Sequence, residues 1–379
     1  PPGATRVDGS GRYLIPALAE MHAHVPAGQN ASQAERVLFM YAANGIGTIR
    51  SMLGDPSHFR LRERAARGEI IAPQTIYLSG PSFNGQTAAT PEAASRRVSE
   101  QKQAGYDFLK IHPGVPRAAF DALAATAARE QIRFAGHVPA DVGLHRALEA
   151  RYWTIDHLDG YVEALARSGA PRSQSFGINL MAHIDESRIP ALVAETRAAG
   201  TANVPTQVLL ENWYGPDDVE AMRKWPEMQY ASPAEIEQWS ASKRKNMQAY
   251  PAEQRQRYIA LRRRLIKALH DGGVVVLLGS DAPQVWNVPG FSIHRELATY
   301  VAAGLTPYQA LATGTRNVAA HLGILDRAGT IETGKRADVV LLEGNPLQDI
   351  ANTRRIAGVM IGGRWIPKAE IDRRLQEDR

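Results

Sequence analysis

Two histidines one residue apart, His22-Ala23-His24, follow a short apolar segment. In an extended chain residues i and i+2 project to the same side, so the two imidazoles can close on one metal ion. The pair also reads as two polar residues in a loop. Lys110 stands in Phe108-Leu109-Lys110-Ile111-His112. An ammonium at the end of a buried strand is costly unless it reaches solvent, pairs with a carboxylate or is chemically altered. His137 in Ala135-Gly136-His137-Val138 and His157 in Ile155-Asp156-His157-Leu158 each close an apolar run. A lone histidine there is either a ligand or hydrogen-bonded structure. Asp281, in Leu278-Gly279-Ser280-Asp281-Ala282-Pro283, is either a ligand or the cap of a turn. Together, four imidazoles, one carboxylate and one lysine make an N/O metal set, and the chain has no cysteine to supply thiolates. Hydrolysis is the chemistry such a set serves best.

Eight strand-like segments must position these groups: Leu14–Glu20, Thr48–Leu53, Thr75–Ser79, Phe108–His112, Arg133–Val138, Thr154–Leu158, Ala202–Val208 and Val274–Ser280. Helical patterns lie between them at Ala31–Ala43, Pro91–Ala104, Arg117–Glu130, Leu144–Ala150, Ser187–Ala199 and Glu253–His270. Thr90-Pro91-Glu92 is a helix start, and Gly105, Gly200 and Gly272-Gly273 follow helix ends. The continuous aliphatic run Val274–Leu278 suits a strand buried on both faces. Strand–helix alternation repeated eight times predicts an α/β fold, a (β/α)₈ TIM barrel, with an open doubly wound sheet as the lesser alternative. No Gly-x-Gly-x-x-Gly or P-loop follows an early strand. In such a barrel the active site lies at the C-terminal ends of the strands, so all six residues converge on one mouth. After Gly323 the pattern changes to short strands at Ala337–Leu342 and Ile356–Ile361, then a Gly362-Gly363 turn before Arg364-Trp365-Ile366. The expected division is a barrel over 14–322 and a small composite β domain from 1–13 and 323–379.

Composition excludes several classes. In 379 residues, 44% are hydrophobic and 22% charged, which is ordinary for a globular chain and rules out a disordered or fibrous one. Val274–Leu278 is the longest strongly apolar run and is far too short for a membrane span. The net charge of +5 is a weak pointer to anionic partners. Nine Lys/Arg and one Glu between Ala241 and His270 suggest a nucleic-acid patch at first sight. Tyr258, Leu261, Leu265 and Leu269 recur there at helical spacing, however, which predicts a solvated basic face over a buried stripe and no nucleic-acid partner. The chain opens Pro1-Pro2-Gly3 without Met or a signal-like segment. That reads as a trimmed start and leaves a periplasmic, secreted or cytoplasmic location equally open.

The motif order resembles that of the amidohydrolase superfamily of metal-dependent hydrolases. Its His-x-His after strand one, Lys after four, His after five and six, and Asp after eight fall on His22 and His24, Lys110, His137, His157 and Asp281. Ala310-Leu311-Ala312-Thr313-Gly314-Thr315-Arg316-Asn317, Gly334-Lys335-Arg336-Ala337-Asp338 and Gly344-Asn345-Pro346-Leu347 are similar to the superfamily's closing segment. Val204-Pro205-Thr206, the Trp/Tyr-rich insertion after it and His294-Arg295-Glu296-Leu297 resemble the imidazolonepropionase-like branch. That branch includes Xaa-Pro dipeptidases and an ochratoxin-degrading enzyme. Two features depart from the pattern. Pro16-Ala17-Leu18-Ala19-Glu20 stands where the family has Pro-Gly-x-x-Asp. The strands that usually precede the first motif are reduced to Thr5–Ser10, so the β-sandwich formed by the chain termini reads as truncated in its N-terminal half.

The resemblance implies two divalent ions, Zn first and Mn, Fe or Co as alternatives, and CO₂ fixed as a carbamate on Lys110. One ion would take His22, His24, the carbamate and Asp281; the other the carbamate, His137 and His157. A metal-held hydroxide would attack an amide or peptide carbonyl while Asp281 serves as general acid–base. The expected partner is a small-molecule substrate such as an N-acyl amino acid, a dipeptide or an ochratoxin-like amide; homo-oligomers are compatible. Alternatives on the same centre are a cyclic amide, a lactone or a phosphotriester, and more remotely a non-catalytic metal-binding scaffold. His112 shares the orientation of Lys110, Arg50 ends strand two and His294 opens the helix after strand eight. Each is a candidate substrate contact. The aromatic insertion, Trp213 to Trp239, is a candidate pocket wall or packing against outer helices.

Overall fold

The computed structural model describes residues 6–28 and 31–377. Eleven strands are present among the described residues: β1 Tyr13–Pro16, β2 Leu18–Ala23, β3 Ile46–Ser51, β4 Thr75–Leu78, β5 Phe108–Ile111, β6 Arg133–Gly136, β7 Thr154–Asp156, β8 Ala202–Val204, β9 Val339–Leu342, β10 Ile356–Ile361 and β11 Arg364–Pro367. They form two parallel sheets, β2-β3-β4 and β5-β6-β7-β8, and one antiparallel sheet, β1-β9-β10-β11. The fold is α/β with parallel sheets. Every residue of β2, β3 and β5 is buried, as expected for strands covered on both faces. Helices Ala31–Ala43, Pro91–Gln103, Arg117–Arg129 and Ala252–Asp271 fall where the sequence periodicity placed them. Thr90 caps the second of these by accepting from Ala93 N, with Pro91 in the first turn.

The two parallel sheets touch at both edges. Ser79 bridges Phe108 in parallel, with Phe83 N donating to Lys110 O at 2.8 Å. At the other side the segment 274–282 stands between β8 and β2. Leu277 N donates to Asn203 O at 2.9 Å, Met21 N to Leu278 O at 2.9 Å and His24 N to Ala282 O at 2.9 Å. This segment was expected as a full strand, Val274–Ser280. It makes isolated bridges at Val276 and Ala282 instead, because Leu278 N is diverted to Thr313 O.

Three further expectations are corrected. Leu14–Glu20 is two strands: β1 pairs with β9, Ala17 N donates to Asp338 O, and β2 enters the parallel sheet. The Ala202–Val208 strand stops at Val204; Thr206 is left-handed, with φ 44°, and a helix begins at Gln207. Of Thr5–Ser10, Thr5 lies outside the described residues, as does the Pro1-Pro2-Gly3 start, and the described remainder forms no strand. The N-terminal contribution to the antiparallel sheet is β1. No helix among the described residues is long and apolar enough to cross a membrane.

Candidate metal centre

Parallel strands put their C-terminal ends on one side; five of the six expected ligands sit at those ends, and Asp281 lies beside them on the 274–282 segment. His22 is in β2 and His24 just beyond it; Lys110 is in β5; His137 and His157 directly follow β6 and β7. His22, His24, Lys110, His112, His137 and Asp281 help line one cavity of ≈ 350 Å³. His157 packs beneath it, its ring centroid 4.4 Å from His137 and 4.6 Å from His22. The ligand atoms of His22, His157 and Asp281 all lie within 4.8 Å of one another. Asp281 Oδ1 is 2.7 Å from His24 Nε2 and 3.6 Å from His22 Nε2.

Three imidazoles share one arrangement. His22 Nδ1 is 2.8 Å from Asp156 Oδ2, His137 Nδ1 is 2.7 Å from Asp159 Oδ2, and His157 Nδ1 is 2.8 Å from Thr206 Oγ1. An Nδ1–H donated by His137 and by His157 leaves Nε2 with its lone pair free; His22 Nδ1 lies close to Asp156 but off hydrogen-bond geometry. His157 Nε2 is buried with no hydrogen-bond partner. Burial drives the pKa of His22 and His157 far down and that of His137 to about 3, with neighbouring positive groups assisting, so the rings stay neutral at pH 7. Neutral, oriented imidazoles with an unpartnered nitrogen are what a divalent ion requires. The donor set fits such an ion.

Lys110 is buried, its Nζ 3.3 Å from His22 Nε2. Burial lowers its pKa, partly opposed by Asp156 and Asp281. Gly136 leaves it room: a Cβ there would stand 2.5 Å from Ile111 O and 2.8 Å from Lys110 Cδ. Glu20, with one methylene more than the family's aspartate, accepts from His22 N at 2.9 Å and Ser280 N at 2.8 Å. It thereby pins β2 to the 274–282 segment. Gly279 allows that approach, since its Cβ would lie 2.9 Å from His22 N. Burial pushes the Glu20 carboxyl up to about 8, against those hydrogen bonds. His157 and Asp281 hold left-handed backbones, φ 63° and 64°, which non-glycine residues adopt at a cost that clusters at functional sites.

The family model described as "Amidohydrolase family" matches residues 13–366. The chain belongs to the amidohydrolase family. It is therefore a hydrolase. Among curated proteins none matches. Several solved structures do. Bottromycin amidohydrolase is 24% identical, with TM-score 0.73 over 97% of this chain and 81% of its own. A Xaa-Pro dipeptidase with methionine bound in the active site is 19% identical, with TM-score 0.66 over 94% and 87%. The ochratoxinase of A. niger is 18% identical, with TM-score 0.62 over 93% and 83%.

In this amidohydrolase two of the three proposed substrate contacts are corrected. Arg50 is fully buried: Nη2 donates to both oxygens of Asp156 at 3.1 Å, Nη1 to Thr154 Oγ1 and Nε to Met21 O, both at 2.7 Å. Arg50 does not line the cavity, and the guanidinium instead steadies the carboxylate beside His22. His294 is buried in the helix Phe291–Ala302, which packs on Ile350–Arg354. It lines neither the cavity nor the cluster, and burial with Arg354 nearby lowers its pKa to about 3. His112 does line the cavity, 5.0 Å from the His137 ring.

The sequence reading missed Asp156, Asp159, Thr206 and Arg262, which hold the histidines. Asp156 was detectable. Thr154 and Asp156 alternate with Ile155, so they point to one face of β7 and meet the equally buried Arg50 of β3. The aromatic insertion is mostly packing: Trp225 lies edge-on and Trp239 tilted against Trp286, and Tyr214 lies edge-on to Tyr258.

Proposed function

We propose that this amidohydrolase cleaves an amide or peptide bond adjoining an amino-acid carboxylate, at a two-metal centre in a closed eight-stranded barrel. The observation that carries the reading is the set of three neutral imidazoles whose Nδ1 atoms lie against Asp156, Asp159 and Thr206 oxygens, with His22 Nε2 3.3 Å from Lys110 Nζ and 3.6 Å from Asp281 Oδ1. The edge contacts through Ser79 and the 274–282 segment support the closed barrel over 14–322. The antiparallel sheet would be one layer of a composite unit from 1–13 and 323–379, with β1 lent to it. The dipeptidase, ochratoxinase and amidohydrolase among the similar structures support the choice of bond.

His22, His24 and Asp281 would hold one ion, and His137 and His157 the other. Lys110 would join both after its amine, whose pKa burial lowers, takes up CO₂ as a carbamate. Zn suits the donors, with Mn, Fe or Co as substitutes. Bound divalent ions supply polarisation of the carbonyl and a lowered pKa of water. Asp281 receives the proton of the attacking water and passes it to the leaving nitrogen. His112 has its pKa pushed down to about 4 by burial and then by His137, so it is neutral and donates a hydrogen bond to the substrate carboxylate.

The test is exhaustive chelation followed by titration with Zn, Mn or Co, using dipeptides and N-acyl amino acids as substrates. Hydrolysis should vanish and return with about two equivalents of metal per chain. Full activity in metal-free protein would refute the reading.

A further inference from the structure

A second cavity, ≈ 820 Å³, opens beside the first, and the two share His137. It is lined by Val138, Leu144, Asp159, Ala164 and Phe176, among others. Asp281 and His112 line only the smaller cavity. Since Asp281 is assigned to the leaving nitrogen, the amine half of the substrate belongs with it. The acyl half then extends past His137 into the larger space.

One wall of that space is held in an unusual backbone. Ser175, Phe176 and Gly177 have φ of 49°, 60° and 81°, three left-handed residues in succession. A bulky side chain at such a φ is an outlier that only strong surroundings maintain. The surroundings are visible. Tyr258 Oη donates to Phe176 O at 2.9 Å, and Tyr214 Oη lies 3.5 Å from Ser175 O. Gly177 has no room for a side chain, as a Cβ would lie 2.7 Å from Val162 Cγ1. The result sets the Phe176 ring edge-on to His157, centroids 6.0 Å apart, and braces it on Trp213 at 5.5 Å. An aromatic ring is thus fixed between a ligand histidine and the larger cavity, leaving part of its surface uncovered.

We propose that the larger cavity binds the substrate's acyl group, that this group is a flat aromatic or similarly bulky apolar one, and that Phe176 is the residue recognising it. The assignment rests on the amide-hydrolase reading above. Aromatic rings prefer offset or edge contacts with one another, and a pre-fixed ring loses little freedom when a second ring arrives. A residue serving only as loop packing would leave substrate preference untouched.

The experiment compares kcat/KM for N-(2-naphthoyl)glycine and N-acetylglycine in the metal-loaded wild type, Phe176→Asn and Phe176→Leu. Asn tolerates the left-handed backbone, so removing the ring adds no strain; Leu keeps apolar bulk if Asn impairs folding. The wild type should prefer the naphthoyl substrate by about tenfold or more, and that ratio should fall about tenfold in Phe176→Asn and less in Phe176→Leu. An unchanged ratio in either folded variant overturns the proposal. Calorimetric binding of 2-naphthoate and acetate separates the two readings. Phe176-dependent naphthoate binding without hydrolysis of any amide would sink the hydrolase reading and keep the cavity assignment. Amide hydrolysis with naphthoate bound no better than acetate would do the reverse.

Discussion

Asp281 is the residue whose loss should separate rate from metal retention. Its Oδ1 lies 2.7 Å from His24 Nε2, and its side chain also faces His22 and His157. On its ion His22, His24 and the proposed Lys110 carbamate would remain if it ceased to be an anion. Its φ of 64° is a conformation that Asn adopts readily, so Asp281→Asn should keep the fold and one oxygen ligand. It would no longer accept a proton. General acid–base assistance is worth roughly 10²–10⁴-fold, and kcat should fall by that order with metal content largely kept. Elemental analysis paired with single-turnover kinetics decides it; a metal-replete variant at near wild-type rate would move the proton shuttle to His112. At this scale the sequence was informative where chemistry coincides with a strand end, as at His22, Lys110, His137 and His157. It was uninformative where the contact runs across the fold. Nothing in the local spacing of Thr206 announces that its hydroxyl lies 2.8 Å from a histidine 49 positions earlier.

Among the elements, the helix Ala252–Asp271 shows what a charge run can conceal. A stripe of Tyr258, Leu261, Leu265 and Leu269 was expected inside with every arginine outside. The stripe is buried, but so is Arg262, and Lys243 and Arg255 are buried nearby. Arg262 is four residues after Tyr258 and three before Leu265, which puts it on the stripe, and the helical spacing could have shown this. It donates to His157 O at 2.8 Å, Pro205 O at 3.0 Å and Gln207 Oε1 at 2.9 Å. It therefore fixes the left-handed turn that presents His157. Arg263 and Arg264 do face outward, paired with Glu211 and Glu186 at 2.7 Å. Arg262→Met keeps the bulk and leaves those acceptors without a donor. Buried unsatisfied acceptors cost about 1–3 kcal/mol each, so destabilisation of about 3 kcal/mol or more is expected, with weaker metal binding. Denaturant unfolding and a metal titration check this; wild-type values in both would show that the helix does not position the centre. Strand ends were less legible than helices for a related reason. A β-branched or apolar run does not reveal where one partner ends and another begins, so Leu14–Glu20 read as a single strand although Ala17 divides it between two sheets.

For the whole molecule, burying so many ionisable groups makes stability depend on pH in two opposing ways. Burial raises the Glu296 carboxyl to about 7, so its folded form takes up a proton that the unfolded chain releases. That contribution strengthens the fold as pH falls from about 7 towards the ordinary glutamate range. Burial lowers His294 to about 3, so its folded form refuses a proton that the unfolded chain accepts from about pH 6.5 downward. This contribution is present above pH 6.5 and is lost as pH falls towards 3, because the unfolded state then binds more protons than the native one. At about 1.4 kcal/mol per pH unit, His294 alone should remove about 2 kcal/mol between pH 6.5 and 5. The wild-type curve mixes both signs and cannot isolate either. A variant can. His294 lies away from the ligand cluster, against Ile350–Arg354, so His294→Gln alters this titration without touching the metal donors. Unfolding free energies of metal-free protein should differ between wild type and variant by about 2 kcal/mol less at pH 5 than at pH 6.5, whatever the fixed cost of the substitution. A difference that stays constant across this range would mean that His294 takes up its proton as readily in the folded state as in the unfolded one.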